Sequence, residues 1–317
     1  MTRFPSRTMA VLVTALLPAA ACAPRSVSVG SPTSASTSTA ASSSSAGSTA
    51  SSANVRTIGS VGAPIGLQLW SLRAMARTDP KAMLEFTRAQ GITHVETAGL
   101  YGTPEQTAEL LRNAGIRATS MHVGMDDFKK DPQKVIANAK ALGVRYVGTA
   151  WYPHTAPFKE SDARQAIADF NAIGKTMKDA GLQFFYHNHG YEPQPYGDGT
   201  LLDLIIKETD PELVKFEMDV LWTWLPGADP VALIKKYPGR FKLMHIKDMK
   251  PGVPRGSLSG GIPDSLKSVI GQGQVNWTEV FKAAKADGLE HYYLEDETTD
   301  PPKNIPPSVR YVEAIKF

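Results

Sequence analysis

A helical stretch that closes on glycine and passes at once into an apolar strand recurs along this chain. That repetition predicts an α/β fold, a (β/α)8 TIM barrel forming a single domain behind a leader and a linker. Two further observations support it. Four of the helical stretches open on a capping residue followed by proline. Eight such units occupy roughly 260 residues, close to the ~250 typical of this barrel.

Residues 1–22 form the first element. "MTRFPSRTMAVLVTALLPAAAC" carries Arg3 and Arg7, then a mostly apolar run from Met9 to Leu17, then small residues up to Cys22. A basic start, a short apolar core and a small-residue cleavage region describe a signal peptide. The apolar core is shorter than the roughly 20 residues that span a bilayer. Cys22 follows Ala19, Ala20 and Ala21 and resembles the lipid-modified cysteine of a bacterial lipobox, with alanine at Ala19 where that pattern prefers leucine. Cys22 is therefore the expected lipidation site. The expected location is outside the cytoplasm, as a periplasmic or outer-membrane lipoprotein, with a secreted soluble protein as the alternative. Membrane contact is then confined to that N-terminal lipid anchor. As the sole cysteine, Cys22 excludes an intramolecular disulfide.

Residues 23–60 read as a linker. From Ser31 to Ala53 the chain is almost entirely Ser, Thr, Ala and Gly, a composition that buries too little to offset the entropy of ordering. The barrel is assigned to 61–317, with folded chain beginning near Asn54.

The strands follow in order at about 65–70, 93–98, 117–123, 144–150, 183–189, 214–220, 241–247 and 291–296. They are mostly apolar rather than alternating, as expected of a parallel sheet covered by helices. The glycines that close helices before them are Gly91, Gly115, Gly143, Gly181, Gly239 and Gly288. Asp79, Thr103, Asp131 and Asp229 each precede a proline and are the expected helix caps. A doubly wound open sheet is the rival, but no G-x-G-x-x-G follows the first strand. The segment "KPGVPRGSLSGGIPDSLKSVIGQGQVNW" before the last strand is either a lid over the active face or an irregular connection. The formal charge of +3 and the absence of a long basic run give no case for a nucleic-acid partner.

In such a barrel, chemistry sits at the C-terminal ends of the strands. Those ends carry Glu96, His122, His187 with His189, Glu217 with Asp219, His245 with Lys247, and Glu295 with Glu297. Residues at i and i+2 share a face of a strand. A convergent set of carboxylates and imidazoles is costly to bury unpaired. A divalent metal satisfies it, and mixed nitrogen and oxygen donors suit Mn, Co, Fe or Zn better than Ca.

The chain resembles the xylose isomerase-like TIM-barrel superfamily, in its sugar phosphate isomerase/epimerase group. "GLQLWS", "YHNHGYE", "FEMDVLW", "LMHIKDM" and "LEDE" carry the resemblance, which runs from about Pro64 to Phe317. It implies metal ligands at Asp219, His245 and Glu295. Where the epimerases carry a strand-five glutamate, this chain has His187, leaving His187 as the fourth ligand, with His189 or Glu192 as alternatives. It also implies a carbohydrate isomerase or epimerase that abstracts a proton beside a carbonyl through a metal-stabilised ene-diolate. Glu295 and His189 are the candidate bases, His189 because a histidine pKa lies near working pH, and Lys247 is a candidate for stabilising charge. Small-molecule carbohydrate contacts are expected at Glu96, His122, Trp222 and Glu192. Trp70, Trp151 and Trp224 are further aromatics able to stack on sugar rings. The alternatives are a lyase or hydratase acting on 3-keto-glycosides, and a non-catalytic sugar-binding lipoprotein.

The leader makes a direct prediction. Cys22→Ser abolishes incorporation of labelled fatty acid and moves the protein from the membrane pellet to the soluble fraction. Unchanged labelling would place the lipid elsewhere or show the anchor to be wrong.

Overall fold

The computed structural model describes residues 55–317. The expected signal peptide, with Cys22, and most of the expected linker lie outside the described residues.

Eight parallel strands close into a barrel. They are β1 (Gly66–Gln68), β2 (His94–Thr97), β3 (Arg117–His122), β4 (Tyr146–Thr149), β5 (Gln183–His187), β6 (Val214–Asp219), β7 (Phe241–Ile246) and β8 (His291–Leu294). Neighbours pair in chain order and β8 closes on β1 through Gly66 and Leu67. The helices between them form the outer layer, as the repeated helix–glycine–strand phrase requires.

Local chemistry explains the helix limits. Asp79 accepts from the amide of Ala82, Asp131 from Lys134 and Asp229 from Val231, while Thr103 forms a reciprocal capping box with Gln106. Gly143 and Gly288 stand at φ 69° and 76° and close helices Pro132–Leu142 and Trp277–Asp287, a conformation that costs any other residue.

The strands are shorter than expected at their C-terminal ends. Leu69–Leu72 turns into a 3-10 helix directly after β1, and β5 stops at His187, before His189. The chain leaves the ladder there because local side-chain bonds take over: Gln68 accepts from the Trp70 amide and Glu192 from the His189 amide. At the other end, residues 55–60, assigned to the linker, pack on the barrel. Ile58 is fully buried, Thr57 bridges Pro64, and the Ser60 amide donates to the Ile315 carbonyl. Ile58 is the apolar residue that makes this segment fold.

Strand residues alternate between the outer core and the barrel interior. Phe184 and Tyr186 of β5 face the helix Glu160–Asp179 through Phe170. Phe185 faces inward, where it forms a separate apolar cluster with Tyr146, Leu243 and Tyr293. This plug fills the barrel beneath the polar strand ends, with Phe185 5.5 Å from the His122 ring and Tyr293 6.2 Å from His245. Gly148 is small of necessity, since a Cβ there would overlap the Phe185 ring and carbonyl.

The long connection after β7 is an anchored structure. Asp248 accepts from the amides of Met249 and Gln274 and from the Trp277 indole at 2.8, 3.0 and 2.9 Å. Asp248–Met249 also pairs with Lys267–Ser268. These bonds anchor the connection at both ends, and in its middle Gly260 packs against Tyr191 and the His189 carbonyl.

Phe185→Ala should lower unfolding free energy by roughly 3–5 kcal/mol, measured by urea denaturation. A loss under about 1 kcal/mol would mean that the plug is not packed as described.

Candidate metal centre

Two imidazoles organise the polar end of the barrel. His187 Nδ1 lies 2.9 Å from Glu217 Oε2, while its Nε2 faces Asp219 Oδ2 at 3.7 Å. His245 Nε2 lies 2.6 Å from Glu96 Oε2 and 3.1 Å from Glu217 Oε2, while its Nδ1 faces Glu295 Oε2 at 3.1 Å and Asp219 Oδ2 at 4.0 Å. Each ring therefore has one nitrogen on an outer carboxylate and the other turned to the same inner point. Metal-bound histidines are held in this way, by a carboxylate on the nitrogen that does not ligate.

The backbone sets up these contacts. The β2–β3 register shifts between Val95 and Glu96, and the β6–β7 pairing shifts between Phe216 and Glu217. Such irregularities re-aim side chains beside active sites. Glu96 is then completed by Gln68 Nε2 and Ser120 Oγ, both at 2.6 Å. His122 Nε2 approaches Glu217 Oε2 at 2.9 Å and Glu96 Oε2 at 3.2 Å.

The inner point has an unmet requirement. Asp219 uses Oδ1 to cap the helix Val220–Trp224, accepting from the Trp222 amide at 2.9 Å. Its Oδ2 is buried without a hydrogen bond. Lys247 Nζ stands 3.4 Å from it but is directed to Glu295 and Glu297, at 2.7 and 2.6 Å. Asp219, His245 and Glu295 offer donor atoms within 4.8 Å of one another. With His187 Nε2 beside them, this set fits a divalent cation. His122, His187, Glu217 and His245 form a second close group, in which Glu217 Oε2 meets three imidazole nitrogens and its Oε1 is likewise buried without a hydrogen bond.

Charge follows this geometry. Burial pushes Lys247 down, but Glu295, Asp219 and Glu297 overcome it and hold the ammonium charged. Burial raises Asp219, and Lys247 and His245 only partly oppose it, leaving it at about 6. Burial also raises Glu217, yet His245, His122 and His187 hold it well below the usual carboxylate range. His189 is pushed down to about 3, first by burial and then by Lys247. It is therefore a neutral imidazole and not the base near working pH that its residue type suggests.

A cavity of about 350 Å³ opens over the inner point, lined by Gln68, His122, His187, His189, His245 and Glu295 among others. His189 reaches it from beyond the end of β5, with its ring 4.8 Å from that of His187. Glu96 is fully buried under His122 and His245 and orients them; it is not placed to touch a substrate as expected. Glu192 is likewise fully buried and serves a turn, accepting from Tyr186 Oη at 2.6 Å and from the His189 amide at 2.9 Å. It is neither a ligand nor a substrate contact. Trp222 is buried behind the site, with Lys247 Nζ 5.4 Å from its ring centre and His189 stacked at 5.7 Å. Glu217, Gln68 and Ser120 belong to the assembly without having been assigned to it. Glu217 was signalled by its i, i+2 spacing to Asp219; Gln68 lies in the stretch GLQLWS that carried the resemblance but had no role assigned, and Ser120 gave no signal.

A family model described as xylose isomerase-like TIM barrel matches residues 83–317. The chain belongs to that family. Inosose dehydratase of Clostridium beijerinckii is 26% identical over 151 residues, 45% of this chain and 50% of that protein. Inosose dehydratase of Clostridium perfringens is 28% identical over 149 residues, 45% of this chain and 49% of that protein. The chain thus spans about half the length of the curated relatives it matches. A sugar phosphate isomerase/epimerase structure from Parabacteroides distasonis aligns with a TM-score of 0.66 and 28% identity, over 79% of this chain and 93% of that one. A zinc-bound IolI protein shares the fold, with a TM-score of 0.63 at 15% identity over 78% of this chain and 94% of that one.

The outer carboxylates separate from the turn carboxylate by experiment. Glu96→Gln should weaken divalent metal binding by roughly 10–100-fold, read by chelator competition. Glu192→Gln should leave metal affinity unchanged and lower stability by about 1–3 kcal/mol. Unaltered metal affinity in Glu96→Gln would refute the orienting role.

Proposed function

We propose that this protein is a metal-dependent enzyme that abstracts a proton beside the carbonyl of a carbohydrate-like substrate, with β-elimination as the outcome. The observation that carries this reading is the orphaned Asp219 oxygen, set among His187, His245 and Glu295 beside the Lys247–Glu295 pair. When bound, a divalent cation supplies Lewis-acid polarisation of the substrate carbonyl. The donor set of two imidazoles and two carboxylates suits Zn, Mn, Fe or Co.

The remaining work falls to the chain. Glu295 receives the α-proton; its contacts to His245 and Lys247 both fall on Oε2, leaving Oε1 for the proton. Lys247 holds a proton between Glu295 and Glu297, and Glu297, which lines the cavity, passes it to the leaving oxygen. His189 offers a neutral imidazole to substrate hydroxyls, and the buried floor excludes water. An acceptor, Glu295, and a donor, Glu297, on the lining of one cavity are what elimination needs. Likeness to inosose dehydratases over part of the chain supports the same outcome.

Isomerisation or epimerisation is the second reading. It is favoured by likeness to the Parabacteroides distasonis protein over most of both chains. It shares the first step and differs in returning the proton to carbon. The leader supports placing the enzyme outside the cytoplasm, anchored through Cys22.

Metal-replete protein incubated with 3-keto-glucosides in deuterium oxide should exchange the α-proton and release the β-substituent. Lys247→Met should keep the exchange and slow the release by roughly 10²–10⁴-fold. Exchange without release would select isomerisation. No exchange with any keto-sugar, in protein shown to hold metal, would remove the enzymatic reading.

A further inference from the structure

The reaction cavity does not end at the inner point. Along Trp70 and Ala98 it adjoins a groove of about 240 Å³ whose floor is Leu69, Ala98, Gly99, Leu100 and Tyr101. Trp70 stands at the boundary and lines both spaces. Arg73 and Arg77 line the rim of the groove beside these apolar residues, and a Cβ on Gly99 would meet nothing within 4 Å, so the groove is open there.

An exposed tryptophan alone proves nothing, since large apolar residues occur singly on surfaces. This one is held in place. Trp70 is 42% exposed, yet its Nε1 donates to Glu297 Oε1 at 3.1 Å. Glu297 is itself fixed, with Oε2 accepting from Lys247 at 2.6 Å and Lys267 at 2.9 Å. The Trp70 amide also donates to Gln68 Oε1 at 3.1 Å, and the Arg73 guanidinium lies 5.2 Å from the ring centre. A ring tied at its edge to the same Glu297 that pairs with Lys247 is preorganised with respect to the reacting group. Holding an aromatic in one orientation before a ligand arrives lowers the cost of binding.

We infer that Trp70 is a platform for a second ring of the substrate, so that the natural substrate is a ring-substituted sugar rather than a free monosaccharide. This rests on the reading of the cavity as a carbohydrate site and adds to it the class of substrate. The reacting ring sits over the inner point. The second ring, a pyranose or an aryl group, lays its apolar face on the indole and extends into the groove over Ala98–Leu100. Both ring types share the feature that an indole recognises, a flat or nearly flat CH-rich face.

Binding measured by calorimetry on the metal-loaded protein tests this without turnover. The probes are glucose, cellobiose and phenyl β-glucopyranoside. At least one two-ring probe should bind roughly tenfold more tightly than glucose, and the better of the two identifies the second ring as sugar or aryl. Trp70→Ala should abolish that preference, and Trp70→Phe, which keeps an aromatic face but loses the bond to Glu297, should keep most of it. Equal binding of one-ring and two-ring probes by the wild type, or a preference that survives Trp70→Ala, would overturn the platform. A preference that collapses in Trp70→Ala, in protein that exchanges no α-proton from keto-sugars, would uphold the platform and remove only the proposed reaction.

Discussion

The bond between each central imidazole and its outer carboxylate holds the upper barrel together. Glu96, Glu217, Asp219 and Glu295 are all nearly or fully buried, and unpaired buried carboxylates are costly. His245 relieves three of them at once, and His187 reaches Glu217 and Asp219. The same bonds fix which ring nitrogen faces inward. Compensation of charge and orientation of the donors are therefore one structural feature, and a change that disturbs one disturbs the other.

That arrangement needs a rigid base. The plug of Tyr146, Phe185, Leu243 and Tyr293 separates the polar strand ends from the opposite mouth of the barrel. Tyr293 also joins the two regions, because its hydroxyl meets Ser120 Oγ at 2.8 Å and Ser120 donates to Glu96. Packing below and hydrogen bonding above thus converge on the same carboxylate. A loosened plug would allow Glu96, and with it His245, to drift from the inner point.

The fold was legible because its signals are local and repeated. Caps, closing glycines and apolar strand runs each act within a few residues, and eight copies leave few arrangements that bury every strand. The convergence of His187, Asp219, His245 and Glu295 was legible for the same reason, since closure of the barrel brings the strand ends together. What stayed hidden depends on contacts between strands. Glu96 reads as a residue at a strand end, but the shift after Val95 turns it beneath two imidazoles. Glu192 reads as part of a polar cluster, but a tight turn consumes its carboxylate. The low pKa of His189 comes first from its burial and then from Lys247 two strands away, and no spacing in the sequence reveals either.

His187 marks the departure from the epimerase pattern, and the geometry shows how the barrel accommodates it. An imidazole brings no charge, so Asp219 and Glu295 are the two inner carboxylates and together match one divalent cation. The negative charge that a strand-five glutamate would bring is absent from the inner point, and Glu217 stands one step further out, bonded to His187 Nδ1. Moving a carboxylate outward lowers the negative charge at the inner point while the buried Glu217 stays paired with imidazoles. Beside it, the Lys247 and Lys267 ammoniums converge on Glu297, so both of these charges are paired. On this account the histidine substitution and the charge pairing around Lys247 act together, balancing the buried charges at the mouth of the barrel.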